Sequence, residues 1–257
     1  MKKVFVVMMV KDEIVIIGYN IEYLQTQDID HFYIANNLST DGTKEILLEL
    51  SKKYGNMTVI DDNEFAYYQS DKMNLWCNKC FKMGADIVIP IDADEIWYSK
   101  NKEKTLGGLL KETEGDIFVA TSTDYIPTSN DVDTENPILS MVYKKKNSDS
   151  FPAVAFKKYP GFYLEMGNHD VFNHKGKRVY DLLGIRHYQY RSFDQFAKKV
   201  LNGKKVYDDT TFPSSTGSHW RKLGGMSQEE MNLWWNTYIS QEVEYDPIDI
   251  INYSDRK

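Results

Sequence analysis

Four short apolar runs, each followed by a stretch of different rhythm, constrain this chain most. Residues 4–9, 32–35, 57–60 and 87–91 are almost wholly apolar. Between them, residues 14–27, 43–54 and 70–84 place apolar side chains at helical spacing: Ile14, Ile17, Ile21 and Leu24, then Ile46, Leu47 and Leu50. Gly84 supplies a stop near the end of the third stretch. A short helix over 105–113 and a fifth strand over 117–122 continue the pattern. Strands alternating with helices predict βαβ units and a mainly parallel, Rossmann-type sheet flanked by helices. The fold class is therefore α/β.

The rhythm changes after residue 123. Stretches 139–143, 154–157 and 162–165 read as shorter strands, some antiparallel, and 183–188 is a last apolar run. Ser192-Phe193-Asp194-Gln195 is a capping pattern that opens a helix to about residue 207. Ser227-Gln228-Glu229-Glu230 opens another through residue 242, and 208–225 reads as a mobile loop. The expected organisation is a domain over 1–207 and a C-terminal helical extension over 208–257, both in one structural unit.

The net charge of −7 argues against non-specific nucleic-acid binding, which needs surplus Lys and Arg. Cys77 and Cys80 fall in a helical pattern and read as buried thiols. The apolar run at residues 4–10 is too short to span a bilayer, and no cleavage pattern follows it. A cytoplasmic protein is expected, not transmembrane, with contact to a membrane surface left open.

Chemistry concentrates at the ends of the predicted strands. Run 87–91 delivers Asp92-Ala93-Asp94-Glu95. Alternation along a strand would point Asp92 and Asp94 the same way. Two such carboxylates are either a solvated turn or a site for a hard divalent ion, Mn²⁺ or Mg²⁺. Lys11-Asp12-Glu13 follows the first strand, Asn36 to Thr43 the second, and Asp124 the fifth. In a parallel sheet these loops share one edge, where ligands bind. Ser39, Thr40, Asp41 and Thr43 also suit plain turn and cap roles. No Gly-x-Gly-x-x-Gly follows the first strand, and no Gly-Lys-Ser/Thr is present. A bound diphosphate would then rely on a metal rather than a glycine cradle.

Taken together, Val10-Lys11-Asp12-Glu13, Asn37 to Thr43, Gln69 and Ile91-Asp92-Ala93-Asp94-Glu95 resemble a family 2-like glycosyltransferase of the GT-A fold. The closer resemblance is to the Asp-x-Asp-Glu subgroup with a later segment like His187-Tyr188-Gln189-Tyr190-Arg191-Ser192-Phe193. It covers roughly residues 3–203 and departs at Asp12, where such enzymes often carry Asn. The resemblance implies a nucleotide-sugar donor, expected to be a UDP-sugar. Val10, Asp12, Glu13, Asn37, Asp41, Gln69 and Asp92 would contact it. Asp92 and Asp94, with His187 or His169, would hold the metal, His187 being favoured. Arg191 and Lys198, on a helix start and first turn, are either neutralising groups for diphosphate or plain solvated charges. Transfer of a hexosyl group with inversion needs a base, for which Asp170 is preferred, then Glu165 and Glu95. The acceptor would be a glycan, lipid-linked molecule or protein, in glycan or polysaccharide synthesis, with Trp220, Trp234 and Trp235 offering a surface for it.

Two other readings compete. A haloacid-dehalogenase-like Mg²⁺ phosphatase also has Asp-x-Asp after an apolar strand, but on the chain's first strand. A non-catalytic carbohydrate-binding protein would use the 18 Tyr and 5 Trp, yet leaves the converging acids unexplained.

Overall fold

The structure is a computed structural model that describes residues 1–147 and 151–248; residues 249–257 of the expected C-terminal extension lie outside the described residues. The first half runs β1 (Val4–Val10), α1 (Ile14–Gln25), β2 (His31–Asn37), α2 (Thr43–Tyr54), β3 (Met57–Asp62), α3 (Gln69–Lys82), β4 (Ile87–Ile91), β5 (Glu95–Ser99), α4 (Leu106–Glu112) and β6 (Ile117–Asp124). The second half runs α5 (Pro137–Ser140), β7 (Tyr143–Lys145), β8 (Pro152–Lys157), β9 (Tyr163–Leu164), β10 (Val171–Phe172), β11 (Arg178–His187), α6 (Phe193–Asp208), α7 (Ser218–Leu223), α8 (Gln228–Ile239) and β12 (Val243–Tyr245).

Eight strands form one sheet in the order β3-β2-β1-β4-β8-β6-β11-β5. The class is α/β, as expected. The β3-β2-β1-β4 half and the β6–β11 pair are parallel, whereas β8 and β5 run antiparallel to their neighbours. The sheet is thus mixed.

The apolar strands are buried on both faces, which is why they lack polar alternation. Val4, Val6, Met8 and Val10 pack with Ile17, Ile21 and Leu24 of α1 and Leu47 of α2. Phe5 and Val7 pack on the other face with Met73, Trp76, Cys77 and Cys80 of α3. Burying each Val, Leu, Ile or Met contributes about 1.5–3 kcal/mol, so this two-sided core holds β1 and β4 rigidly beside each other. Both cysteines are fully buried thiols.

From β1 the chain moves one way to β2 and β3, and then returns to place β4 on the other side of β1. The loops after β1 and β4 therefore part around a crevice at the carboxyl ends of these two strands. Pro90 sits near the end of β4. Strand β8 pairs with β4 only at Ile87 and Val88, so the strand is unpaired on that side where proline lacks an N–H.

Other elements depart from the sequence reading. Residues 137–140 form α5, started by proline and capped by Asn136, where a strand over 139–143 was expected. The stretch 208–225 contains α7. The last helix ends at Ile239, with a full capping box at Ser227 and Glu230. Helices α6 and α8 share an aromatic core: Phe196 stacks on Trp234 at 4.5 Å, and Trp234 on Tyr238 at 5.2 Å. Among the described residues, no helix is long and apolar enough to cross a membrane.

Candidate active site

The crevice is floored by the loops after β1 and β4 and roofed by α6. Asp92, Asp94, Asp12, Glu13, Asn37 and Gln69 all line it. From α6 come Gln195, Lys198, Lys199, Asn202, Gly203 and Val206. Their spacing of three and four residues is one helical face. Phe196 and Val200 lie on the opposite, buried face. Trp220 of α7 closes the end of the crevice. It can do so because Gly203 has no side chain: a Cβ there would lie 2.6 Å from the indole ring.

Asp92 and Asp94 stand in a turn beyond the strand, closed by the Glu95 N–H donating to Asp92 O at 3.1 Å. Strand alternation therefore does not place them, and their carboxylates go to different partners. Asp92 Oδ1 accepts from Gln69 Nε2 at 3.3 Å and Asn168 Nδ2 at 3.2 Å. Asp94 Oδ2 lies 2.5 Å from Lys199 Nζ and 3.9 Å from His187 Nε2. Glu95 turns inward, accepting from the Asp92 N–H at 3.3 Å and Trp97 Nε1 at 3.1 Å.

Sheet register positions His187. Strand β11 lies between β5 and β6, so His187 is flanked by Glu95 on one side and Asp124 on the other. Asp124 Oδ1 is 2.9 Å from His187 Nδ1. In the neutral ring a carboxylate there fixes the tautomer with the proton on Nδ1, so that Nε2 offers its lone pair once its own proton is lost.

These charged groups lie close enough to act on one another. Burial pushes Asp92 up to about 6, with Asp94's charge adding to it. Burial, then Asp92, pushes Glu95 up to about 7. Burial also acts to raise Asp94, but Lys199, His187 and Arg191 outweigh it and hold the carboxyl well below its ordinary value. Burial disfavours charged His187, yet the Asp124 hydrogen bond and Asp94 raise it to about 9.

Around the first loop, Asp12 adopts a left-handed φ of 53°, which Asn and Asp tolerate best. Its Oδ1 accepts from Thr40 N–H at 2.7 Å, and Lys198 lies 3.6 Å from Oδ2. Glu13 is gripped by Arg191 at 2.5 Å and Lys199 at 3.1 Å. Val10 is buried at the end of β1. Asn37 donates to Asp62 Oδ2 at 2.8 Å and to Glu64 O at 2.7 Å. Asp41 is engaged with its own turn: it accepts from the Thr43 hydroxyl at 2.6 Å and from Ile14 N–H at 3.1 Å.

The loop over 165–170 packs behind two residues that line the crevice, Gln69 and Asp92. Gly167 N–H donates to Gln69 Oε1 at 2.7 Å, beside the Asn168 contact to Asp92. His169 is occupied elsewhere, with Nδ1 2.9 Å from Pro152 O and its ring against Phe151. Asp170 is paired with Arg178 at 2.7 Å. Glu165's carboxylate has no hydrogen-bond or ion-pair partner among the described residues.

Lys199 and Asn20 are among the site residues that the sequence did not single out. Lys199 holds Asp94 and Glu13, whereas Lys198, the lysine singled out, is more exposed and among the described residues pairs with Asp12. Asn20 is fully buried on α1 and donates to Ala93 O at 2.8 Å and Glu95 O at 2.9 Å, bracing the Asp-x-Asp turn from behind. Its signal was one polar residue inside the stripe Ile16, Ile17, Ile21, Leu24. Trp234 and Trp235 serve the helical core, and of the three tryptophans only Trp220 lines the crevice.

Two groups could contribute to holding a divalent ion. Among the described residues no three His, Cys, Asp or Glu side chains gather at one point. Asp94 Oδ2 and His187 Nε2 do converge, and such ions are commonly bound through few protein groups, with water and phosphate oxygens completing the shell.

No protein-family model matches the chain, and no curated protein matches it. Solved structures do, distantly. TarS residues 1–349 from S. aureus shares 13% identity at a TM-score of 0.47, over 91% of this chain and 78% of that one. TarS has also been solved with UDP. The mannosyltransferase PcManGT from Pyrobaculum calidifontis, solved with GDP-Man and Mn²⁺, shares 13% identity at 0.45, over 92% and 72%. HddC from Yersinia pseudotuberculosis shares 13% at 0.41, over 70% and 90%.

Proposed function

We propose that this protein is a glycosyltransferase that moves a hexosyl group from a nucleoside-diphosphate sugar, a UDP-sugar first among them, to an acceptor hydroxyl with inversion. The observation that carries the reading is the convergence of Asp94 Oδ2, which lines the crevice, with His187 Nε2 behind it, 3.9 Å apart. Asp94 and His187 would hold Mn²⁺ or Mg²⁺, which when bound stabilises the charge that develops on the departing diphosphate.

The protein's own groups do the rest. Asp124 keeps the His187 ring in the tautomer that offers Nε2. Asp92, pinned by Gln69 and Asn168, faces the ribose. Asp12, Glu13 and Asn37 border the base end of the crevice. Lys198, Lys199 and Arg191 draw the anionic donor in by charge. Helix α6 and Trp220 cover the reacting centre, which limits hydrolysis of the donor by water. Glu165 is the base in this reading: Asp170 is tied to Arg178 and Glu95 to the turn backbone and Trp97, whereas Glu165 is unpaired among the described residues. The acceptor is a glycan, lipid-linked molecule or protein, in glycan or polysaccharide synthesis.

A thermal-shift panel of UDP- and GDP-sugars, with and without Mn²⁺, tests this. Binding raises apparent stability by mass action, so the true donor should stand out in the metal-containing arm. No shift with any donor would remove the reading.

A further inference from the structure

Lys199 stands where the acids of the two strand-end loops meet. Its Nζ is 2.5 Å from Asp94 Oδ2 and 3.1 Å from Glu13 Oε1. The same Asp94 oxygen is the one that faces His187 Nε2 at 3.9 Å. An ammonium therefore already holds the oxygen that a divalent ion would take. Two cations on one oxygen repel strongly in a site of low dielectric.

The surroundings allow Lys199 to let go. It projects from the crevice face of α6 on a flexible four-carbon stem, with three donors and a side chain 23% exposed. Glu13 keeps a counter-ion when Lys199 leaves, because Arg191 grips its other oxygen at 2.5 Å. Asp94 then keeps its charge balance through the arriving ion. The open side of the ammonium's reach is the crevice itself.

We propose that Lys199 is the resident counter-ion of the ligand-free site and turns from Asp94 to the donor's diphosphate when a divalent ion takes Asp94. This rests on the nucleotide-sugar reading. It makes Lys199 a diphosphate-binding residue and couples the two ligands. The ion alone must displace an ammonium that is then left with Glu13, a carboxylate it shares with Arg191. The diphosphate alone meets an ammonium already engaged. Bound together, each relieves the other's competitor, which is positive coupling in the thermodynamic sense.

Calorimetry of the whole chain with MnCl₂ alone, UDP or GDP alone, and each pair together tests this in wild type and two variants. Lys199→Met keeps the stem and removes the charge. It should bind Mn²⁺ alone about tenfold tighter and the nucleotide in the presence of Mn²⁺ about tenfold more weakly, the scale of one close charge pair. Lys199→Arg keeps both acids paired, so it folds if Met does not. It should bind Mn²⁺ alone no tighter than wild type, and its nucleotide binding should stay near wild type. Unchanged Mn²⁺ affinity in Lys199→Met, or parallel weakening of both ligands, overturns the proposal. So does tighter Mn²⁺ binding in Lys199→Arg. If wild type binds neither nucleotide under any condition, the nucleotide-sugar reading falls with the diphosphate half. The Mn²⁺-alone comparison still decides the counter-ion role.

Discussion

His187 Nε2 faces Asp94 Oδ2 at 3.9 Å because β11 is inserted between β5 and β6, with Asp124 holding the far side of the ring at 2.9 Å. Outer partners of this kind commonly change metal affinity by about 10–100-fold. Asp124→Ala should therefore weaken Mn²⁺ binding by about tenfold, measured by calorimetry with nucleoside diphosphate present. Unaltered affinity would mean that the ring's orientation does not matter to the ion.

The Asp-x-Asp turn depends on Asn20, which gives hydrogen bonds to two of its backbone carbonyls. Removing a buried partner costs about 1–3 kcal/mol. Asn20→Ala should lose roughly that much in urea unfolding. A stability equal to wild type would show that the turn holds without its brace.

Gly203 tests the roof. Replacing a helix-interior glycine by alanine ordinarily gains about 1 kcal/mol. Here the new methyl would meet the rigid Trp220 ring at 2.6 Å. Gly203→Ala is expected to destabilise instead, and to recover when Trp220→Ala is added. A simple additive outcome in that double-mutant cycle would deny the contact.

Asp41 links the first two loops, and it carries a pH signature. Burial acts to raise its pKa, but hydrogen bonds from Thr43 and Ile14 hold it below the ordinary value. A depressed carboxyl contributes stability above its unfolded pKa, near 4, and loses it as pH falls through the lower folded value. The stability gap between wild type and Asp41→Asn should thus be full at neutral pH and shrink below about pH 4. A gap independent of pH would assign Asp41 no charge-linked role.

Glu165 and Asp170 separate by their partners. Glu165→Gln should abolish transfer with little change in donor affinity. Asp170→Asn should mainly affect the loop by loosening Arg178, 2.7 Å away. Full activity in Glu165→Gln would move the base elsewhere.

Much of the parallel half was legible because its strands are buried on both faces, so Val4 to Val10 and Ile87 to Ile91 appear as unbroken apolar runs. Glu95 to Ser99 was not, since it begins directly after the Asp-x-Asp turn with no punctuation of its own. Helix α7 hides in a Ser- and Thr-rich stretch and has no buried residue to betray a period. Lys198 and Lys199 look alike in sequence. Only the rotation of α6, fixed by Phe196 and Val200 turning to the core, decides which lysine reaches Asp94. His187 needed the register of three strands that are far apart in the chain.

The most direct test of the account is Mn²⁺-dependent binding of UDP and GDP to wild type and Asp94→Asn, by calorimetry with and without chelator. The account predicts that Mn²⁺ tightens nucleotide binding in wild type and that Asp94→Asn loses this enhancement while remaining folded. Enhancement that persists in Asp94→Asn would contradict it.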